Sequence, residues 1–267
     1  MSSLIPCTVQ ILTRNSGATL EACLATLTSF AEIIMVDGGS TDATCDIAKA
    51  YPNVRIINQD KKYQNQDGRI TDYAGVRNQA LAAASFPWIL AVDSDEQVSP
   101  QMLEAIRSIV ESGKPAAYQV FRRFVLHGEK IMFAAGYPAY QVRFFHRECV
   151  EVYEKPIHER PKLKPGVQVR VLSGDLLTPL PPASSLWPKY RRYLAMDASR
   201  LQNVGWQWWV KWGFARNVRT IVGVFARAIL IRLIPRGGKR LPMIYEFQAM
   251  WYAWQMMIRT CPLFRHP

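Results

Sequence analysis

Glu32-Ile33-Ile34-Met35-Val36-Asp37-Gly38-Gly39-Ser40-Thr41-Asp42 is the stretch that decides how this chain folds. Its apolar centre is continuous rather than alternating, which is the pattern of a strand covered on both faces in a parallel sheet. Asp37 ends the run, two glycines permit a tight turn, and Ser40 or Thr41 can cap a helix from about Asp42. A buried strand that turns on glycine into a helix is one β–α unit, and the same unit recurs outward from it. Residues 8–13 read as a strand and residues 20–29 as a helix, with Leu20, Cys23, Leu24 and Leu27 on one side. Downstream come a strand at 54–58, a helix at 72–85 and a strand at 88–92 that stops at Asp93. Ser99 then caps, and Pro100 opens, a helix to about Ser112. This order predicts an α/β fold with a mostly parallel central sheet and helices on both faces.

Beyond Ala117 the long helical patterns give way to strands at 118–125, 130–133, 141–146 and 167–172, with turns at Gly128 and at Gly136-Tyr137-Pro138. Pro179, Pro181, Pro182 and Pro188 mark a linker. Residues 188–203, 207–234 and 242–259 are helical in pattern. The division is therefore an α/β domain over 1–178 and a helical, basic, Trp-rich region over 179–267.

The chain has 267 residues, 49% hydrophobic and 20% charged, which excludes disorder and a disulfide-stapled miniature. Its net charge of +12 is unevenly spread. Residues 1–150 hold 14 Lys/Arg against 15 Asp/Glu, while residues 151–267 hold 19 against 6. Seven of the eight Trp lie at or after Trp187, so the back of the chain should face something anionic. The five cysteines form no CxxC pair, which disfavours disulfides or a zinc site and fits a reducing cytosol. Residues 1–6 lack the basic and apolar segments of a signal peptide, and no stretch of about 18 residues is free of charge, as a clean transmembrane span needs.

Open parallel sheets bind ligands beyond the carboxyl ends of their strands. Here those ends carry Thr13-Arg14-Asn15, Asp37-Gly38-Gly39 and Asp93-Ser94-Asp95-Glu96. Asp37 before two glycines can accept from a nucleobase imide or a ribose hydroxyl, or it can simply build a turn and a cap. Asp93 and Asp95, one residue apart past a buried strand, repel each other unless a cation lies between them; the plainer reading is a solvated loop leading to Ser99.

These motifs, with Arg77-Asn78 and residues 88–96, resemble family-2 glycosyltransferases of GT-A (Rossmann-like) fold. Residues 122–133, Gly136–Phe145 and Pro156-Ile157-His158-Glu159 resemble more narrowly the subgroup that adds β-linked glucose to the inner core of lipopolysaccharide. Where that subgroup carries a His-Tyr-Ser-Tyr-like segment, this chain has Leu177-Thr178-Pro179-Leu180-Pro181, and Gly38-Gly39 replaces the usual Ser-Gly.

The resemblance implies a donor pocket for a nucleotide-sugar, UDP-linked, and a role for each matching residue. Thr13 and Asn15 lie along the nucleoside, Asp37 accepts from the uracil imide, and Arg77 approaches the base or diphosphate. Asp93 holds ribose, and Asp95 coordinates a divalent metal, Mg²⁺ or Mn²⁺, bridging the phosphates. Direct displacement at the anomeric carbon needs a base on the opposite face. Glu159 is the candidate, with Glu154 and Glu151 as fallbacks and His158 as a metal or phosphate contact. Plainer readings pair Glu159 with Arg160 and leave His158 at the surface. Arg143 binds diphosphate or an acceptor phosphate, or is structural.

In the tail, Trp206, Trp208, Trp209 and Trp212 precede a helix whose Arg216, Arg219 and Arg227 share one side, with apolar residues on the rest. That is the composition of an interfacial helix against anionic lipid, although packing on the catalytic domain or a partner would also use it. Nucleic acid is a poorer match, because the basic residues are not interleaved with a reader motif. The expectation is an inverting enzyme, peripheral on the cytoplasmic face of a bacterial membrane, acting on a lipid-linked glycan such as lipopolysaccharide core. A nucleotidyltransferase is the rival, but residues 13–17 offer only Arg14 and Gly17 where its phosphate loop would stand. A non-catalytic membrane scaffold is the third reading; it predicts that replacing Asp93 and Asp95 leaves the phenotype intact.

Overall fold

The computed structural model describes residues 3–66, 68–201, 204–235 and 237–264. Met1, Ser2 and the expected helical residues 202 and 203 lie outside the described residues. The chain divides into two compact units. One comprises Met1–Arg123 with Ala139–Thr178, the other Phe124–Pro138 with Pro179–Pro267. Residues 124–138, grouped by sequence with the first 178, thus pack in the second unit.

The first unit is built on parallel strands β1 (Ile5–Thr13), β2 (Phe30–Asp37), β3 (Val54–Asn58) and β4 (Trp88–Asp93), in the order β3-β2-β1-β4. The two-residue β5 (Gln97–Val98) follows β4. Beyond β4 the sheet turns antiparallel through β8 (Tyr140–His146) and β6 (Ala117–Leu126), the unit boundary falling within β6. Alternation along β2 sets the two cores. Ile33 and Met35 face Leu20 and Leu24 of α1 (Gly17–Ala25) and Met102 and Ile106 of α4 (Pro100–Ser112). Ile34 and Val36 face Val76 and Ala80 of α3 (Tyr73–Ala83). On β1 two residues of the α3 side, Thr8 and Gln10, are polar: Thr8 donates to Glu32 at 2.6 Å, and the backbone carbonyl of Gln10 receives Arg77 at 3.0 Å. This buried polar layer carries α3's arginine beneath the strand ends.

Local capping explains most boundaries. Ser99 Oγ accepts from the N–H of Met102 with Pro100 in the first turn, as expected. The helix after Gly39 begins later than the sequence suggests. It is α2 (Thr44–Lys49), because Ser40 and Thr41 are drawn into the loop by Asp37 and Asn15, and Asp42 takes the N–H and Oγ1 of Thr44. The 167–172 strand runs on as β11 (Val169–Pro179), and its Leu176 and Leu177 pair antiparallel with β5. It is held by pairing with β5 and with β6, which single-sequence periodicity does not report. An antiparallel hairpin of β9 (Val150–Glu154) and β10 (Arg160–Leu163), not anticipated as such, carries the His158-Glu159 loop.

The second unit contains β7 (Glu129–Phe133), antiparallel to the end of β6 and parallel to the two-residue β12 (Lys239–Arg240). Its helices are α5 (Ala183–Arg200), α6 (Trp206–Trp208), α7 (Arg216–Leu233) and α8 (Met243–Arg259). α5 starts before Pro188 and takes that proline inside the helix, so the linker shortens to about Leu180–Pro182. The expected helix over 207–234 contains a π-helical segment, Trp209–Ala215, where Gly213 leaves room for the Trp209 ring and Trp209 Nε1 donates to the carbonyl of Met257 at 3.0 Å. Arg216, Arg219 and Arg227 are all exposed, and among the described residues no helix is long and apolar enough to cross a membrane.

Candidate functional site

Parallel register lines up the polar strand ends. Thr13 of β1 pairs with Asp37 of β2, Asp37 with Asn58 of β3, and Leu12 with Asp93 of β4. One edge of the sheet therefore presents Asn58, Asp37, Thr13 and Asp93 in a row.

The Asp37 turn is self-supporting. Its Oδ2 accepts from the N–H groups of Gly39 and Ser40 at 3.0 and 2.9 Å, and its Oδ1 from Ser40 Oγ at 2.5 Å. Gly39 sits at φ +82°, and a Cβ on Gly38 would come within 3.2 Å of Gln59 Oε1, so each glycine is needed for a different reason. Asn15, at φ +51°, clamps the same loop. Its Oδ1 accepts from the Thr41 N–H at 2.8 Å and its own N–H donates to Ser40 Oγ. The Cys45 side chain also bonds Asp37, so this carboxylate is held from several sides. Beside it, buried Thr13 Oγ1 and both amide atoms of buried Gln59 have no hydrogen-bond partner among the described residues. Orphaned buried polar atoms are rare and need an explanation; at this edge of the sheet a polar ligand supplies one.

Next to that row lies a charge-balanced cluster of three carboxylates and three guanidiniums. Arg77, 1% exposed, donates from Nη1 to the Gln10 carbonyl and from Nη2 to Asp93 Oδ1 at 2.6 Å. Arg143 grips Asp93 with both Nη atoms, each at 3.2 Å. Arg122 pairs with Glu96 at 2.6 Å and stands 3.8 Å from Asp93 Oδ2. Glu96, fully buried, also accepts from the Asp93 N–H at 3.0 Å and from Thr178 Oγ1 at 3.3 Å. Burial opposes ionisation of Asp93, but the charges of Arg143, Arg77 and Arg122 outweigh it and hold this carboxyl well below the usual range. Glu96 goes the other way: burial and then the Asp93 charge raise it, against the pull of Arg122 and Arg143.

The β9–β10 loop brings the remaining predicted residues to this cluster. Asn78 exchanges two hydrogen bonds with the backbone of Tyr153, and the Tyr73 N–H donates to the Pro156 carbonyl at 2.8 Å. Ile157 is buried, which turns Glu159 inward until its Oε1 lies 3.6 Å from Arg77 Nε. Arg160 instead pairs with Glu154 at 2.8 Å, and Lys162 pairs with Glu151. The two fallback carboxylates are thus occupied by exposed lysine and arginine, while Glu159 faces the buried guanidinium. His158 is exposed at φ +56°.

The structure thus gathers Asp93, Arg77, Arg143 and Glu159, aligns Thr13, Asn15 and Asp37 along the adjoining edge, and leaves Asp95 partly exposed past β4. Glu96, Arg122 and Gln59 were not anticipated. Glu96 and Arg122 carry their signal in charge, since a buried acid three residues after a strand end requires a cation, but only the fold shows that β6 supplies it.

Among the described residues no three or more His, Cys, Asp or Glu side chains gather as a preformed metal site. Both oxygens of Asp93 are already held by guanidiniums. Asp95 remains a suitable single carboxylate for an ion that takes most of its shell from diphosphate oxygens and water, which is how Mg²⁺ is usually held.

Comparison with known proteins bears on the family. The chain is 30% identical over 129 residues to the lipopolysaccharide core biosynthesis glycosyltransferase LpsC of Rhizobium meliloti, covering 46% of this chain and 44% of that protein. It is 29% identical over 117 residues to the uncharacterized glycosyltransferase YibD of Escherichia coli, covering 41% and 31%. It thus spans less than half the length of these relatives. A solved structure of S. aureus TarS (residues 1–349, in complex with UDP-GlcNAc) aligns over 95% of this chain and 90% of its own, with TM-score 0.49 and 14% identity. Residues 8–148, which hold both strand-end motifs and Arg143, match the family described as Glycosyl transferase family 2; the chain belongs to that family, and its α/β core is of the GT-A kind.

Proposed function

We propose that this chain transfers a hexose, glucose, with inversion from UDP-glucose to a lipid-linked glycan of the lipopolysaccharide-core type, at the cytoplasmic face of a bacterial membrane. The observation that carries the reading is Glu159, held 3.6 Å from buried Arg77 in a family-2 glycosyltransferase, beside a strand edge with unsatisfied polar atoms. The acceptor class is supported by the resemblance in Gly136–Phe145 and Pro156–Glu159 and by the similarity to LpsC.

In this reading the uracil imide donates to Asp37, with Thr13 and Asn15 along the nucleoside. The acceptor oxygen attacks the anomeric carbon while its proton passes to Glu159, and the bond from that carbon to the diphosphate breaks with its electron pair on the diphosphate. Arg77, 3.6 Å from Glu159 Oε1, holds this carboxylate aimed into the site before the acceptor arrives. Arg143 and Asp93 are held in one orientation at the donor side, which spares reorganisation during the reaction. A divalent ion held by Asp95 and His158 would supply charge neutralisation on the leaving diphosphate. The basic tail would attach the enzyme to an anionic surface, with Arg216, Arg219 and Arg227 contributing about 1 kcal/mol each near the surface.

Calorimetric titration with UDP-glucose, with and without Mn²⁺, tests the donor reading. One saturable site that UDP competes for is expected; absence of saturable binding of any UDP-sugar contradicts it.

A further inference from the structure

We infer that α7 and α8 form a monotopic hairpin that inserts one continuous apolar face into a single leaflet of an anionic bilayer. This rests on and deepens the membrane reading above, which took the tail's arginines, tryptophans and apolar residues from composition without a defined face. α7 and α8 are joined by residues 234–242 and pack through Val224, Ala228 and Met250. Trp209, before α7, bonds Met257 near the end of α8, and Arg232, near the end of α7, bonds Leu241 before α8. The two helices therefore run antiparallel.

Each carries an apolar stripe that does not face the other helix. On α7 it is Val218, Val222, Phe225, Ile229 and Leu233, spaced at helical intervals about a third of a turn from the packed Val224–Ala228 line. On α8 it is Ile244, Phe247, Trp251, Trp254 and Ile258, offset from Glu246, Met250 and Ala253 by a similar angle in the same sense; Trp187 of α5 borders it at Trp251 and Phe247, and Ile244, Phe247 and Trp254 are its exposed part. For antiparallel helices, equal offsets in the same sense place both stripes on the same side of the pair. The surface is wet as it stands: Val222 is 61% exposed, Phe225 52%, Leu233 71%, Phe247 51% and Trp254 50%. An exposed patch of this extent marks an interaction site rather than a scatter of surface residues.

Charge identifies the occupant. Arg216 and Arg219 lie on the outer flank of α7 and Arg259 on that of α8, all exposed. Residues 201–267 contain ten Lys/Arg and one acid, Glu246. That acid is buried and accepts from the Ala135 N–H at 2.8 Å, so this segment shows no acidic side chain to the outside. An apolar face rimmed by cations matches acyl chains bordered by anionic headgroups, with the helices lying in the interfacial plane. Spanning is excluded for these helices by the arginines along α7 and by the absence of any sufficiently apolar helix among the described residues.

The test uses the full chain and vesicles of phosphatidylethanolamine with phosphatidylglycerol, some carrying brominated acyl chains. Binding with tryptophan quenching by the brominated lipid is expected. Adding salt to about 1 M after binding should release only part of the protein, since screening weakens the charges but not the apolar burial. Phe225→Ser with Leu233→Ser should lower the partition coefficient by about tenfold or more, with helicity and UDP-glucose affinity unchanged. Three results would each overturn the inference: no quenching, full release by salt, or a double variant that partitions like wild type. A self-associated dimer that the double variant dissociates, with no vesicle insertion, would assign the face to a second copy instead. UDP-glucose affinity is read separately, so its failure would count against the transferase reading and not against insertion.

Discussion

Replacing Arg77 with Met is the sharpest way to perturb the site. The side chain is 1% exposed and serves three groups: the Gln10 carbonyl at 3.0 Å, Asp93 at 2.6 Å and Glu159 at 3.6 Å. Removing one member of a buried ion pair costs about 3–5 kcal/mol, because the partner stays behind uncompensated. Asp93 keeps its two bonds from Arg143, so the lower end, about 3 kcal/mol, is expected. For a chain of this size that corresponds to a midpoint roughly 6–12 °C lower. The transition of the first unit can be followed through Trp88, which is buried and stacked on Phe144 at 4.9 Å, by fluorine NMR of fluorotryptophan-labelled protein. Arg77→Lys keeps the charge but not the fork that serves the Gln10 carbonyl and Asp93 together, and should recover less than half of the loss. If Arg77→Met lies within about 1 kcal/mol of wild type, the cluster is not organised around this guanidinium and its role in aiming Glu159 fails with it.

Glu159→Gln should cut turnover by about two to four orders of magnitude while donor affinity is unchanged; near-normal turnover would move the base elsewhere. Asp95→Asn should weaken UDP-glucose binding in the presence of Mn²⁺ and leave metal-free binding nearly as it was; equal affinity in both conditions removes the metal contact. Acid stability should depend on Glu32. Although burial opposes its ionisation, bonds from Thr8, Ser85 and Arg55 bring its carboxyl down to about 2. A depressed carboxyl stabilises the fold above its unfolded value and loses that contribution as pH falls through its folded one, so unfolding free energy should drop between about pH 5 and pH 2 by roughly 3 kcal/mol. Glu32→Gln should flatten that limb in urea titrations at several pH values, and an unaltered slope would place the dependence on another group.

Much of this was legible in the residues. The continuous apolar run of β2, its stop at Asp37 and the Ser99-Pro100 start of α4 are local signals, and each produced the expected element. Boundaries went astray where a distant partner decided them. Asn15 and Asp37 pull Ser40 and Thr41 out of the helix-capping position, and pairing with β5 and β6 extends β11. The row of strand-end residues was visible because parallel β–α units bring them to one edge. The guanidinium cage around Asp93 was not, because Arg77, Arg122 and Arg143 come from a helix and two antiparallel strands whose pairing has no sequence period. Gln59 escaped for a related reason: an amide at the end of a half-polar strand looks like any surface residue until both its atoms prove buried.

Sugar transfer and nucleotide transfer differ in which bond of the donor is broken. Phosphorus NMR of UDP-glucose incubated with the full-length protein and an extracted lipid-linked glycan fraction reads this directly. Transfer of the sugar predicts that UDP resonances grow in step with glucosylated acceptor, that no inorganic pyrophosphate appears, and that Glu159→Gln halts the growth. Pyrophosphate formed from UTP and a sugar phosphate, with UDP-glucose left intact by the same protein, would contradict the glycosyl-transfer assignment of this site.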